Sequence, residues 1–279
     1  MSKRFEALSE RKEEQKTKES SRAGLGKVYF VGAGPGDPDL ITIKGKKLLE
    51  KAGLVIYAGS LVNPALLSFC HPKAKLIDSA PLTLEEIMKE MEESVRRGEL
   101  VVRLHSGDPS LFGAVQEQMD WLSQKGILFE LVPGVSSFQA AAARLKREYT
   151  LPGISQTLIL SRIHGRTPVP EREKLRHLAV HRSSLVLFLS VLLLKEAVAE
   201  LLAGGYPPET PVAVVEKVSW PEERVLAGTL ADILGQVEAA GISRTALVLV
   251  GDFLQATPER SRLYDPAFAH GYREKEAPD

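Results

Sequence analysis

From Lys27 onward the chain alternates short apolar runs with longer segments of helical period, and this rhythm restricts the fold more than any other feature. The first runs are VYFV (28–31), LVIY (54–57), AKLI (74–77), LVVRL (100–104) and LFELV (128–132). Helical spacing fills about 42–52, 62–70, 83–96, 113–125 and 135–145. Thr83 and Glu86 make a capping-box pair at one helix start, and Gly98 follows its last turn. Strands that alternate with helices need crossover connections, which predicts a largely parallel sheet covered on both faces.

Pro and Gly in REYTLPGIS (147–155) interrupt that rhythm, and a second set of strands follows: TLILS (157–161), LVLFLS (185–190), PVAVVEK (211–217), ERVLAG (223–228) and TALVLVG (245–251). Helical segments lie at about 193–203 and 229–240. Only VSWPE separates the third and fourth of these strands, so they are expected to pair as an antiparallel hairpin. The expectation is an α/β protein of two α/β domains, 25–136 and 137–255, with a ligand cleft between them. A disordered tail (1–24) precedes them and a polar extension (256–279) follows.

Composition removes several function classes. The tail holds seven Lys/Arg and five Asp/Glu, with only Phe5 and Leu8 as large apolar side chains, too little to offset ordering entropy or to serve as a secretory signal. Leu185 to Leu194, the longest apolar stretch, spans ten residues. That is half of the roughly 20 needed to cross a bilayer, so a membrane protein is not expected. Over the whole chain 36 Lys/Arg balance 36 Asp/Glu, which argues against a nucleic-acid binder. The single cysteine, Cys70, excludes an intrachain disulfide and suits a cytoplasmic location.

Chemistry concentrates in three small-residue loops that follow strands. GAGPGD (Gly32 to Asp37) offers close backbone approach to a ligand, but Pro35 and Asp37 break the G-x-G-x-x-G dinucleotide fingerprint. The second strand also ends in LVIYAG, without the acid that would hold a ribose. RLHSGDPSLFGAVQEQ (103–118) places Ser106, Gly107 and Asp108 after another strand. Asp108 can accept from hydroxyls or an ammonium, or equally cap a helix. VPGVSSFQAAAARL (132–145) repeats the scheme with Gly134, Ser136 and Ser137. Loops of this kind at strand C-terminal ends converge on one edge of a parallel sheet, where open α/β folds bind ligands.

GAGPGD, SGDP and PGVSS, in this order and spacing, resemble the tetrapyrrole (corrin/porphyrin) methyltransferases, and the resemblance runs from about Lys27 to Leu254. YAGSLVNP (57–64), SRIHGRTPVPE (161–171) and EKVSWPEERV (216–225) extend it. The pattern RxxGRTPxPE in particular is similar to the branch that methylates C11 of precorrin-4 or cobalt-precorrin-4 in cobalamin biosynthesis. Many members of the family carry Asp where this chain has Gly59, so no carboxylate role is carried to that position.

The resemblance implies S-adenosyl-L-methionine as methyl donor, a homodimer, and donor contacts at Pro35, Ser106, Gly107, Asp108, Leu111, Ser136, Ser137, Phe188, Ala213 and Ala246. It names no catalytic residue: a covalent nucleophile is not expected, since transfer of a sulfonium methyl needs alignment rather than covalent catalysis, and which residue, if any, acts as acid or base stays open. A corrinoid precursor carries many carboxylates. Residues 162–182 hold six Arg/Lys against two Glu, a local net of +4, and Arg162, His164 and Arg166 surround Gly165 as the expected substrate contacts. EREKLRH (171–177) reads equally as a solvated helix face.

His177 and His181 are spaced for one helix face, but no third ligand accompanies them and no protein-bound metal is expected. His105 reads either as a ligand contact or as a satisfied supporting residue, and Trp121 and Phe129 as core. The competing readings are a sibling methyltransferase acting elsewhere on a corrinoid or on uroporphyrinogen III, a non-catalytic S-adenosylmethionine-binding protein, and a nicotinamide-dependent oxidoreductase.

Overall fold

The computed structural model describes residues 26–165, 167–257, 259, 261–264 and 268–273, and the chain divides between Ser136 and Ser137 into two compact units. The N-terminal tail and Arg166 lie outside the described residues.

The first unit is built on five parallel strands, β1 (Lys27–Gly32), β2 (Leu54–Tyr57), β3 (Lys75–Asp78), β4 (Leu100–His105) and β5 (Phe129–Val132), in the order β3-β2-β4-β1-β5. Helices α1 (Ile43–Leu49), α2 (Leu84–Arg96) and α3 (Gln116–Gln124) pack on it. Successive side chains of the central strands enter different cores, as expected where both faces are covered. Val28, Phe30, Ile56 and Val101 meet Met88 and Met91 of α2 and Leu122 of α3, whereas Val31, Val55, Val102 and Leu104 meet Leu49 of α1 and Leu66. The capping box of α2 forms in both directions, between Thr83 and Glu86.

The helix expected at 62–70 is instead a 3-10 segment, Pro64–Phe69, whose first turn is set by the Asn63 side chain accepting from the Ala65 amide at 3.0 Å. Asn63 Nδ2 also donates to the Gly36 carbonyl at 2.8 Å, which ties this segment to the first glycine loop.

The second unit carries β6 (Leu158–Ser161), β7 (Ser184–Leu187), β8 (Pro211–Glu216), β9 (Arg224–Thr229) and β10 (Ala246–Val250), in the order β6-β7-β10-β8-β9. β6 and β7 are parallel, and the remaining neighbours are antiparallel. The expected hairpin is present, β8 pairing with β9 from Pro211 opposite Thr229 to Glu216 opposite Arg224. One face is covered by α5 (Leu175–Ala179), α6 (Leu194–Ala203) and α7 (Ile233–Ala240), the other by α4 (Ser137–Leu145) with Tyr149 and Phe253. Among the described residues no helix is long and apolar enough to cross a membrane.

Candidate active site

β4, β1 and β5 are adjacent, so the three small-residue loops leave the first sheet side by side at its C-terminal edge. Their backbones interlock. Ala33 N donates to the His105 carbonyl at 2.7 Å, while Gly34 and Gly107 form a mutual bridge, Gly107 N to Gly34 O at 2.8 Å and Gly34 N to Gly107 O at 3.3 Å. A Cβ on Gly32 would lie 2.5 Å from Gly134 Cα and 2.6 Å from Gly107 O; one on Gly134 would lie 2.2 Å from Gly107 O. The first and third loops approach each other and the Gly107 carbonyl this closely only because Gly32 and Gly134 carry no side chain at the crossing.

Asp108 closes the arrangement. Its Oδ2 accepts from the Gly134 amide at 2.8 Å, and its Oδ1 accepts from the Ser110 amide at 2.8 Å and from the Ser110 hydroxyl. Burial opposes ionisation here, but the hydrogen bonds from Ser110 and Gly134 outweigh it and hold the carboxyl below its usual range. Asp108 thus both turns its own loop, through Ser110, and fastens the second loop to the third, through Gly134. Asp37, the residue that breaks the dinucleotide fingerprint, caps the short 3-10 segment Pro38–Leu40 by accepting from the Asp39 amide at 2.9 Å.

Beside this node opens a cavity of about 310 Å³, lined on one side by Ser106, Leu111, Phe112 and Ala114 and on another by Ala58, Leu61, Leu84 and Ile87. Phe112 (φ 53°) and Ala114 (φ 47°) flank Gly113 in the left-handed region, a costly conformation for side-chain-bearing residues that favours functional loops. The floor is polar. Arg103 and His105, on one face of β4, are 6% and 5% exposed and both line the cavity with Gln118. Burial lowers the Arg103 guanidinium to about 10. Burial, with the neighbouring Arg103 charge, lowers the His105 imidazole to about 3, so the ring is neutral at physiological pH. Among the described residues His105 Nε2 is buried without a hydrogen-bond partner, facing the cavity.

Of the other expected contacts, Pro35 and Ser136 are buried in their loops and Ser137 begins α4. In the second unit Phe188 follows β7 and is brought beside the expected substrate loop: its amide donates to the Ser161 carbonyl at 2.9 Å, and Ser190 Oγ accepts from the Ile163 amide at 2.9 Å. Ala213 and Ala246 sit on opposite faces of their sheet, Ala213 with Val186 and Leu249, Ala246 with Val248 and Val250.

Arg162 turns back on its own loop, Nη1 donating to Thr167 O at 2.9 Å and Nη2 to Pro168 O at 3.0 Å, while His164 is exposed. The basic segment is partly neutralised, because Arg176 pairs with Glu200 and Lys174 with Glu171. α5 ends at Ala179, so His177 and His181 do not share a helix face. At Gly59 the amide donates to Asp78 Oδ1 at 3.0 Å, and a Cβ would lie 2.3 Å from Asp78 Oδ2. A carboxylate from β3 thus occupies the space that a side chain at 59 would need. Arg103 escaped the sequence reading; an arginine inside an otherwise apolar parallel strand was the signal available.

The fold and the three-loop edge define a class. The family profile of the Tetrapyrrole (Corrin/Porphyrin) Methylases matches residues 27–234, and the chain belongs to that family. Among curated relatives, the cobalt-precorrin-4 C(11)-methyltransferase of Methanocaldococcus jannaschii is 54% identical over 248 residues, 88% of this chain and 96% of the relative. The precorrin-4 C(11)-methyltransferase of Pseudomonas aeruginosa is 49% identical over 247 residues, 88% of this chain and 98% of the relative. The X-ray structure of a cobalt precorrin-4 methyltransferase of cobalamin biosynthesis superposes with a TM-score of 0.81 at 46% identity, covering 82% of this chain and 96% of the other. A uroporphyrin-III C-methyl transferase from Thermus thermophilus, solved with S-adenyl homocysteine, gives 0.69 at 31% identity, covering 82% and 99%.

Proposed function

We infer that this chain is an S-adenosylmethionine-dependent enzyme that methylates C11 of precorrin-4 or cobalt-precorrin-4 in cobalamin biosynthesis. The observation that carries this reading is the 45–54% identity, over most of both chains, to relatives bearing that activity in their names. RxxGRTPxPE at 162–171 agrees with it.

When bound, the co-substrate supplies an electrophilic sulfonium methyl. Attack by C11 on that carbon forms the C–C bond, breaks the S–CH3 bond and leaves a neutral thioether; the positive charge passes to the tetrapyrrole, which releases it as a proton, and no oxyanion forms for the chain to stabilise. Its residues bind, align and exclude water, and alignment alone is worth up to about 7–11 kcal/mol. The loop edge fits this task. Small residues at Ser106, Gly107, Ser136 and Ser137 admit a ligand close to the backbone, Leu111 offers an apolar wall, and Asp108 keeps the loops in register rather than touching the reacting atoms. Pro35, Phe188, Ala213 and Ala246 complete the proposed donor contacts, and Arg162, His164 and Arg166 the proposed substrate contacts. The enzyme is proposed to act in the cytoplasm as a homodimer, which light scattering would test.

The decisive experiment incubates the purified protein with S-adenosylmethionine and either precorrin-4 or cobalt-precorrin-4, counts added methyls by mass spectrometry and locates them by NMR. One new methyl at C11 is expected. Methylation at another carbon, or of uroporphyrinogen III alone, would transfer the assignment to a sibling reaction. Tight NAD binding without S-adenosylhomocysteine binding would remove it altogether.

A further inference from the structure

We propose that the polar floor of the cavity is a carboxylate subsite, in which Arg103 and His105 hold one acetate or propionate arm of the tetrapyrrole. The proposal rests on the substrate class inferred above and adds where part of that substrate is held.

Arg103 is a buried cation on an inner strand, with β2 on one side and β1 on the other. Such a charge costs several kcal/mol unless it is paired. Among the described residues its hydrogen bonds go to neutral acceptors, Nε to Gln118 Oε1 and Nη1 to the Ile56 carbonyl, both at 3.3 Å. Among the described residues no carboxylate forms an ion pair with it; Glu117 lines the same cavity but is exposed.

Two residues along the strand, on the same face, His105 presents a buried Nε2 with no partner among the described residues. The same face of β4 carries Val101 against the apolar core, so the strand turns from apolar to polar where it reaches the cavity. The N-terminal turn of α3, whose cap residue Val115 supplies no side-chain acceptor, also borders the cavity through Gln118 and the exposed Glu117.

The missing partner is therefore anionic and brings acceptor oxygens. A carboxylate meets both needs: one oxygen takes the guanidinium, and the other takes the neutral imidazole as its Nε2–H tautomer. At about 310 Å³ the cavity falls at the lower end of small-molecule sites, roughly 300–1,000 Å³, and has room for one arm rather than a macrocycle. Leu61 and Phe112, 41% and 45% exposed at its mouth, offer the apolar contact that the ring would need. The methionine carboxylate of the methyl donor has the same chemistry, so the test must separate the two sources.

Arg103→Met is assayed with S-adenosylmethionine and cobalt-precorrin-4, and S-adenosylhomocysteine binding is measured by calorimetry. The expected result is a KM for the tetrapyrrole raised roughly 10- to 100-fold. The dissociation constant of S-adenosylhomocysteine stays unchanged. The Tm is unchanged or higher, because a desolvated cation has been removed. Arg103→Lys recovers part of the loss.

Weaker S-adenosylhomocysteine binding with an unchanged tetrapyrrole KM would give the carboxylate to the methyl donor and overturn the substrate assignment. No change in either would overturn the subsite. Should Arg103→Met not fold, His105→Phe keeps a ring against Phe30, 6.1 Å away, and is expected to raise the same KM. Failure of wild-type enzyme to make C11 product speaks against the reaction itself, whereas normal wild-type turnover with an unaltered variant KM speaks only against the subsite.

Discussion

Gly32 and Gly134 come from loops far apart in the chain yet meet each other and the Gly107 carbonyl at one crossing, and their lack of side chains is what lets the loops meet. Gly134→Ala would set a Cβ against backbone on two sides, at 2.2 Å from Gly107 O and 2.7 Å from Gly32 Cα. Backbone at an interlocked crossing cannot move aside as a flexible side chain would. The expected cost is about 1–3 kcal/mol, read as a lower urea midpoint, together with at least a tenfold loss of S-adenosylhomocysteine affinity measured by calorimetry.

His105 gives a second prediction. Its folded pKa of about 3 lies far below the ordinary 6.5, so the unfolded chain binds a proton that the folded chain refuses. The contribution is complete above pH 6.5 and is lost as pH falls from there toward 3. Stability should drop by about 1.4 kcal/mol between about pH 7.5 and pH 5.5, above the range where most carboxylates titrate. Urea unfolding of wild type and His105→Phe at the two pH values checks this, and an equal drop in both would assign the effect elsewhere. The sequence made the glycines legible by their positions after strands. It could not pair Asp108 with Gly134, because a contact across 26 residues depends on which strands are neighbours.

Elements were most legible where the signal was local. The hairpin was readable because five residues separate two β-rich runs, and the start of α2 because Thr83 and Glu86 carry the whole capping box in four positions. Thr83→Ala removes the hydroxyl that accepts from the Glu86 amide and should cost about 1 kcal/mol. It should also speed amide exchange in the first turn of α2 while leaving S-adenosylhomocysteine affinity unchanged, since no glycine loop depends on that cap. Exchange measured by mass spectrometry separates local fraying from a global effect. At Pro64–Phe69 the apolar spacing is helical, but Pro64 and the tether from Asn63 to Gly36 favour a tighter turn, a tertiary contact overriding the period. The four-residue spacing of His177 and His181 likewise did not put them on one helix, because α5 stops at Ala179.

At the scale of the whole chain, 36 positive and 36 negative side chains cancel, and the meaningful charge is local. The excess of +4 in 162–182 was legible, but its availability was not: Arg162 is committed to Thr167 and Pro168, Arg176 to Glu200, and Lys174 to Glu171. Arg172 makes no ion pair among the described residues. If the segment draws in a carboxylate-rich substrate, uncommitted charge should matter more than total charge. Arg172→Gln is then expected to raise the tetrapyrrole KM several-fold, while Arg176→Gln, whose charge is already held in an exposed pair with Glu200, leaves it nearly unchanged. Salt supplies an independent check. Raising ionic strength from about 0.05 to 0.5 M shortens the screening length to a few ångströms and should raise the same KM progressively, with a shallower slope in Arg172→Gln. S-adenosylhomocysteine carries no net charge near neutral pH, so its dissociation constant should hardly respond. Equal salt slopes for wild type and Arg172→Gln would mean that substrate attraction arises elsewhere, with the buried Arg103 the next residue to vary.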